Sequence, residues 1–241
     1  MSEKVKCSHC KYKIPKLMCG CKESPHFNET MYGSGFCDHF VNNPAQDLYS
    51  EALVTLVLLG SSEQHELEAR DVIAKLEGAL KIGLPQDDEM NARFSLGETY
   101  FKLLRYKPKE AWPMSYELRR AIQEMEASVI IDSQEGYGHF HEPIYSARLQ
   151  TLAAAYTKVS QQTQKEEGPD CAIAYVKQKL GLFNYLSSPP SLLLLNLGEL
   201  YESKCEWGYA HTIFMKILDR AENPVDDIDS DVRRVARRRI R

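Results

Sequence analysis

The chain has 241 residues, is 43% hydrophobic and 27% charged, and carries a formal net charge of -4. That balance excludes wholesale disorder and gives no electrostatic reason to expect nucleic acid as the main partner. No apolar signal region follows Met1, and the longest apolar stretch, Glu51 to Gly60, is about half of what a spanning helix needs, so a soluble cytoplasmic protein without membrane contact is expected.

The segment 1–42 holds Cys7, Cys10, Cys19, Cys21 and Cys37, five of the chain's seven cysteines. In a reducing compartment such clustering points to metal ligands or reactive thiols before disulfides. Cys7-x-x-Cys10 is a chelating pair, because two thiolates at that spacing reach one ion from a tight turn. Cys19-Gly20-Cys21 supplies a third ligand, with the choice between the two open, and Cys37 completes a set of four. Four thiolates satisfy tetrahedral zinc and equally a [4Fe-4S] cluster. His9, His26 and His39 are substitute ligands that enough cysteines make unnecessary. The segment has few apolar residues, so a metal cross-link would supply stability that a core cannot. A thioredoxin-like pair normally opens a helix in an α/β domain, and no strand pattern surrounds this one.

Cys7, Cys10, Lys11, Tyr12, Cys21, Ser24, Pro25, Phe27, Cys37, Asp38 and Phe40 together resemble small bacterial four-cysteine modules, in which Cys19 has no counterpart. Related spacings occur in small subunits of some glycyl-radical enzymes, where the cysteines hold an iron–sulfur cluster. That resemblance implies an alternative identity as an accessory protein or subunit of a redox enzyme. Zinc is the first expectation and the cluster the second.

From Leu48 onward apolar residues recur at helical spacing, broken by Gly, Pro or Ser clusters. Asn43-Pro44 opens this region, so the domains expected are a cysteine module over 1–42 and a helical domain over 43–241. The breaks predict helix pairs at 45–59 and 64–82, 88–104 and 109–131, 143–160 and 169–185, and 190–204 and 207–221. A last helix is predicted from Asp229 to the end.

Three of these pairs share an internal pattern. Leu197-Gly198 is followed by Tyr201, with Ala210 and Phe214 in the next helix; Leu96, Gly97 and Tyr100 repeat the first part, and Leu152, Ala153 and Tyr156 repeat it with alanine for glycine. This resembles the tetratricopeptide repeat over roughly 45–221, and 69–85 resembles the second helix of a further hairpin. Successive leucines lie 56 and 45 residues apart (96 to 152, 152 to 197), against a family period of about 34, so longer helices or loops must absorb the difference. The resemblance implies an all-α fold: a right-handed solenoid of about four hairpins with a capping helix, presenting a concave groove to a protein or peptide. Carried onto this chain, the groove residues are Asn91, Glu98, Lys102, Gln150, Lys158, Glu199 and Glu202. That mixed or acidic row makes a basic or amide-rich segment its natural complement.

No phosphate loop, G-x-S-x-G or H-E-x-x-H pattern is present, and a non-enzymatic interaction scaffold is expected. His139, His141 and Glu142 form a loop cluster with some capacity for metal or acid–base chemistry. Cys171 and Cys205 read as buried structural thiols, and Trp112 and Trp207 as core residues opening second helices. In the tail, Asp227, Asp229 and Asp231 precede Arg233, Arg234, Arg237, Arg238, Arg239 and Arg241, an order that suits a helix dipole. Val232, Val235, Ala236 and Ile240 form a stripe able to close the last hairpin, while the arginines leave a nucleic-acid-associated role as a further alternative.

Overall fold

The structure, a computed structural model, describes residues 13–14, 18–19, 43–58, 65–108, 111–112, 115–135, 143–186, 189–219 and 227–240. The all-α expectation holds for them: they build nine α-helices, and extended structure is confined to one two-residue antiparallel pair, β1 (Lys13–Ile14) with β2 (Met18–Cys19). The chain divides into two compact units, Met1–Pro85 and Gln86–Arg241.

In the first unit, α1 (Pro44–Leu58) packs on α2 (His65–Ile82). Proline at the first helical position loses no intrahelical bond, and the Asn43 carbonyl accepts from Asp47 N at 3.1 Å. Ala45, Tyr49 and Ala52 bury against the α2 row Ala69, Val72, Ile73, Leu76 and Ala79, which recurs at helical spacing. Lys75 ties the pair by bonding Glu51 on α1 and Asp71 on its own helix. Gly83 ends α2 at φ +108°, its N–H bonding the Ala79 carbonyl, the left-handed stop that glycine adopts without strain.

The second unit holds α3 (Gln86–Leu103), α4 (Tyr116–Glu135), α5 (Pro143–Glu167), α6 (Pro169–Gly181), α7 (Ser191–Ser203), α8 (Trp207–Leu218) and α9 (Asp227–Ile240). Three hairpins, α3/α4, α5/α6 and α7/α8, follow one another. Each second helix touches the next first helix, and the first helices α3, α5, α7 and the final α9 also touch in succession.

Two helix boundaries differ from the sequence expectation by seven residues, the others by four or fewer. α4 starts at Tyr116 rather than near 109, because Ser115 caps it: its Oγ accepts from Leu118 N at 3.1 Å. The helix α5 runs to Glu167 rather than 160, since "QQTQKEE" is polar but consists of good helix formers; the stop is Gly168 at φ +95° followed by Pro169.

Candidate interaction surface

The three motif copies form the same junction. Leu96, Leu152 and Leu197 are buried, as are Tyr100, Tyr156 and Tyr201. A Cβ on Gly97 would lie 2.5 Å from Met125 Cγ and 2.7 Å from the Ala121 carbonyl oxygen of α4. One on Gly198 would lie 2.3 Å from Phe214 Cε1 of α8. Both hairpins therefore close to a distance that only glycine permits. The middle hairpin carries Ala153, fully buried, at the same step.

Each motif tyrosine then meets a tyrosine of the following helix. Tyr100 and Tyr116 form an edge-on pair at 6.0 Å, Tyr156 and Tyr175 one at 6.3 Å, and Tyr201 and Tyr209 stack at 5.2 Å. A cation lies over every motif ring: Arg120 over Tyr100, Lys179 over Tyr156 and Lys177 over Tyr201. Aromatic faces attract such cations through their quadrupole. In the middle hairpin, the Tyr156 hydroxyl donates to Glu126 Oε1 at 2.8 Å, and Lys179 bonds the same oxygen at 2.7 Å. Burial, reinforced by the Glu126 charge, pushes the Tyr156 hydroxyl well above its ordinary pKa.

The row of first helices is joined by polar contacts, and most of the expected groove residues belong to them. Arg148 on α5 reaches back to α3, bonding Asn91 Oδ1 at 3.2 Å, Ser95 Oγ at 3.1 Å and Glu98 at 3.5 Å, with its guanidinium 4.5 Å over the Phe94 ring. On α9, Arg239 reaches back to α7, 3.2 Å from Glu202 and 3.8 Å from Glu199. Between α5 and α7, Gln150 is buried; it donates to Ser191 Oγ and accepts from Leu192 N, capping the start of α7. Ser160 bonds Asn196 at 3.0 Å on the same seam. Burial raises the Glu98 carboxyl above its usual range, against the opposing pull of Arg148 and Lys102. Glu199 is raised by burial as well, with Arg239 opposing and Glu202 reinforcing.

Two expected groove residues retain charge outside these seams. Lys102 is exposed, and half-buried Lys158 lies 5.4 Å over the Trp112 ring. Sequence reasoning passed over Arg148 and read Arg239 only as one of the tail arginines, not as a cation that meets the expected acidic row. Each partner lies about 40 or more positions away in sequence, where no local pattern records it.

Comparisons with family models, curated proteins and solved structures find no match to this chain. Its chemistry rests on its own residues.

Of the expected metal ligands, Cys7, Cys10, Cys21 and Cys37 lie outside the described residues, while Cys19 sits on β2 opposite Lys13. The chain thus has a short strand pair in a segment read as strand-free. Among the described residues no group of three or more His, Cys, Asp or Glu side chains is placed to hold a metal ion. His139, His141 and Glu142 also lie outside the described residues.

Two side-chain expectations are corrected. Cys171 and Cys205 are exposed rather than buried, being at the first turn of α6 and in the α7–α8 turn. Trp207 does open α8 but is 61% exposed, while Trp112 is half-buried and precedes α4, its indole N–H bonding the Lys107 carbonyl at 3.0 Å. The tail behaves as its stripe predicts: Val232 and Ala236 are buried, α9 packs on α7 and α8, and Arg233 bonds the Leu218 carbonyl at the end of α8.

Proposed function

We propose that the chain is a non-enzymatic protein-interaction scaffold: a right-handed, tetratricopeptide-like solenoid that binds an extended segment of a partner along its first helices. The observation that carries this reading is the recurrence of one pattern in three consecutive hairpins, a buried small residue followed by a tyrosine beneath a cation. A single hairpin cannot bury its apolar face, and successive hairpins that share a core form elongated binding surfaces. Because arginines satisfy Glu98, Glu199 and Glu202 internally, Lys102 and Lys158 become the charged groups with which the row can select a partner. Selection from a random peptide display library on the full chain tests the proposal. Enrichment that disappears in the K102E/K158E variant supports it, and absence of any enriched sequence contradicts it.

The N-terminal module is proposed to hold a structural metal through Cys7, Cys10, Cys37 and one of Cys19 or Cys21. The donor set is rich in thiolates, and the β1–β2 reversal falls in the interval between the Cys7/Cys10 and Cys19/Cys21 pairs, where one shared ion requires the chain to turn back. When bound, the metal supplies a cross-link and no reaction step. Metal analysis after anaerobic purification distinguishes the candidates: one equivalent of zinc supports the structural reading, and iron with sulfide supports the cluster.

A further inference from the structure

Two tryptophans sit at hairpin corners, one in the α3–α4 connection and one at the start of α8. They are treated differently by the fold. Lys158 covers the Trp112 ring, as cations cover each motif tyrosine. No cation lies over Trp207 among the described residues, and the residue is 61% exposed. Beside it is Tyr209, 65% exposed; stacking on Tyr201 supports one of its faces. The two rings, with Cys205, Glu206, Gly208 and Thr212, line an open pocket of about 510 Å³.

Among the described residues that line the pocket, Glu206 is the one carboxylate and there is no lysine or arginine. Lys204 is shared between two carboxylates, 2.6 Å from Asp170 Oδ1 and 2.5 Å from Glu206 Oε1. One ammonium is shared by two carboxylates, so Glu206, itself a lining residue, has only part of its charge offset. Two exposed aromatic rings beside a carboxylate that shares its one ammonium with a second carboxylate are the chemistry that attracts a cation.

We propose that the α7–α8 corner is a binding site for an arginine or lysine side chain of a partner polypeptide, with the cation against Trp207 and Tyr209 and countered by Glu206. Lys158 on Trp112 is the intrachain template for this contact. The site is separate from the proposed first-helix row, so either one survives the failure of the other.

Two native thiols make the test direct. Cys205 lines the pocket and Cys171 does not, yet both are exposed. The alkylation rate of each by iodoacetamide is measured on the full chain by peptide mass spectrometry. The probe is an acetylated Gly-Arg-Gly-Arg-Gly amide, and its citrulline counterpart keeps the shape without the charge. The arginine probe is expected to slow Cys205 at least threefold, leave Cys171 unchanged, and lose its effect in Trp207→Leu, which keeps an apolar side chain but no π face. Circular dichroism and thermal melting confirm that the variant is folded; Trp207→Phe, which restores a ring, is expected to recover part of the protection. An unaltered Cys205 rate overturns the proposal. So does equal protection by the citrulline peptide, which marks a merely apolar pocket, and so does parallel slowing of Cys171.

Discussion

The first and last hairpins of the second unit use the same parts with different degrees of closure. In α3/α4 the glycine faces backbone as well as side chain, the glutamate after it is held by Arg148 within a four-residue polar cluster, and the corner tryptophan is covered by Lys158. In α7/α8 the three atoms nearest a Cβ on the glycine all belong to the Phe214 ring, the glutamate meets an arginine from the terminal helix at 3.8 Å, and the corner tryptophan is exposed. The first hairpin covers its glutamate and its corner tryptophan from within the chain, whereas the last leaves its corner tryptophan exposed.

The glycines should show the largest contrast. Gly97→Ala drives a methyl against the Ala121 carbonyl, which cannot move without displacing α4, whereas Gly198→Ala meets the far end of the Phe214 ring. Overpacking of this kind costs about 1–3 kcal/mol, with Gly97→Ala at the upper end and Gly198→Ala below it. Urea denaturation of the two variants checks the order, and equal or reversed losses would remove the structural distinction between the hairpins.

The arginines come next. Arg148→Ala leaves a half-buried Glu98 and strips partners from Asn91 and Ser95, for a loss of about 1–3 kcal/mol. Arg239 is about half exposed, so Arg239→Ala should cost about 1 kcal/mol or less. Chemical melts measure both, and a larger loss for Arg239→Ala contradicts the comparison.

The smallest effect is in pH dependence. Burial raises the carboxyl pKa of Glu98 and Glu199 in the folded state, so within the window between the ordinary and raised values the native chain binds more protons than the unfolded one. Their contribution is therefore favourable below the ordinary carboxylate range and falls as pH rises through the raised values. Glu98→Gln and Glu199→Gln should each flatten that decline, read as urea midpoints across the acidic range. A steeper decline in either variant would reverse the assignment.

Much of the helical architecture was legible because it is local. Periodicity located each α-helix among the described residues, Gly83 and Gly168-Pro169 act as stops, and the small residue with its tyrosine marked the junctions. Errors arose where local composition was ambiguous: "QQTQKEE" is polar enough for a loop yet helical, and Trp112 precedes α4 because Ser115, not an earlier residue, caps it. The seam was invisible for a different reason. Arg148 meets Glu98 across 50 positions and Arg239 meets Glu202 across 37, pairings that only the folded chain creates. The same holds for Trp207, whose apolar character indicated core but whose place at a corner leaves it uncovered. Of the cysteines expected as ligands, Cys19 on β2 is the one among the described residues.

The central claim is that a partner segment lies along the first helices. Hydrogen–deuterium exchange of the full chain, with and without a peptide enriched from the display library, tests it most directly. The account predicts added protection around Lys102, Lys158 and Ser203, on α3, α5 and α7, with α4 and α6 unchanged. Protection confined to α4 and α6 would contradict it.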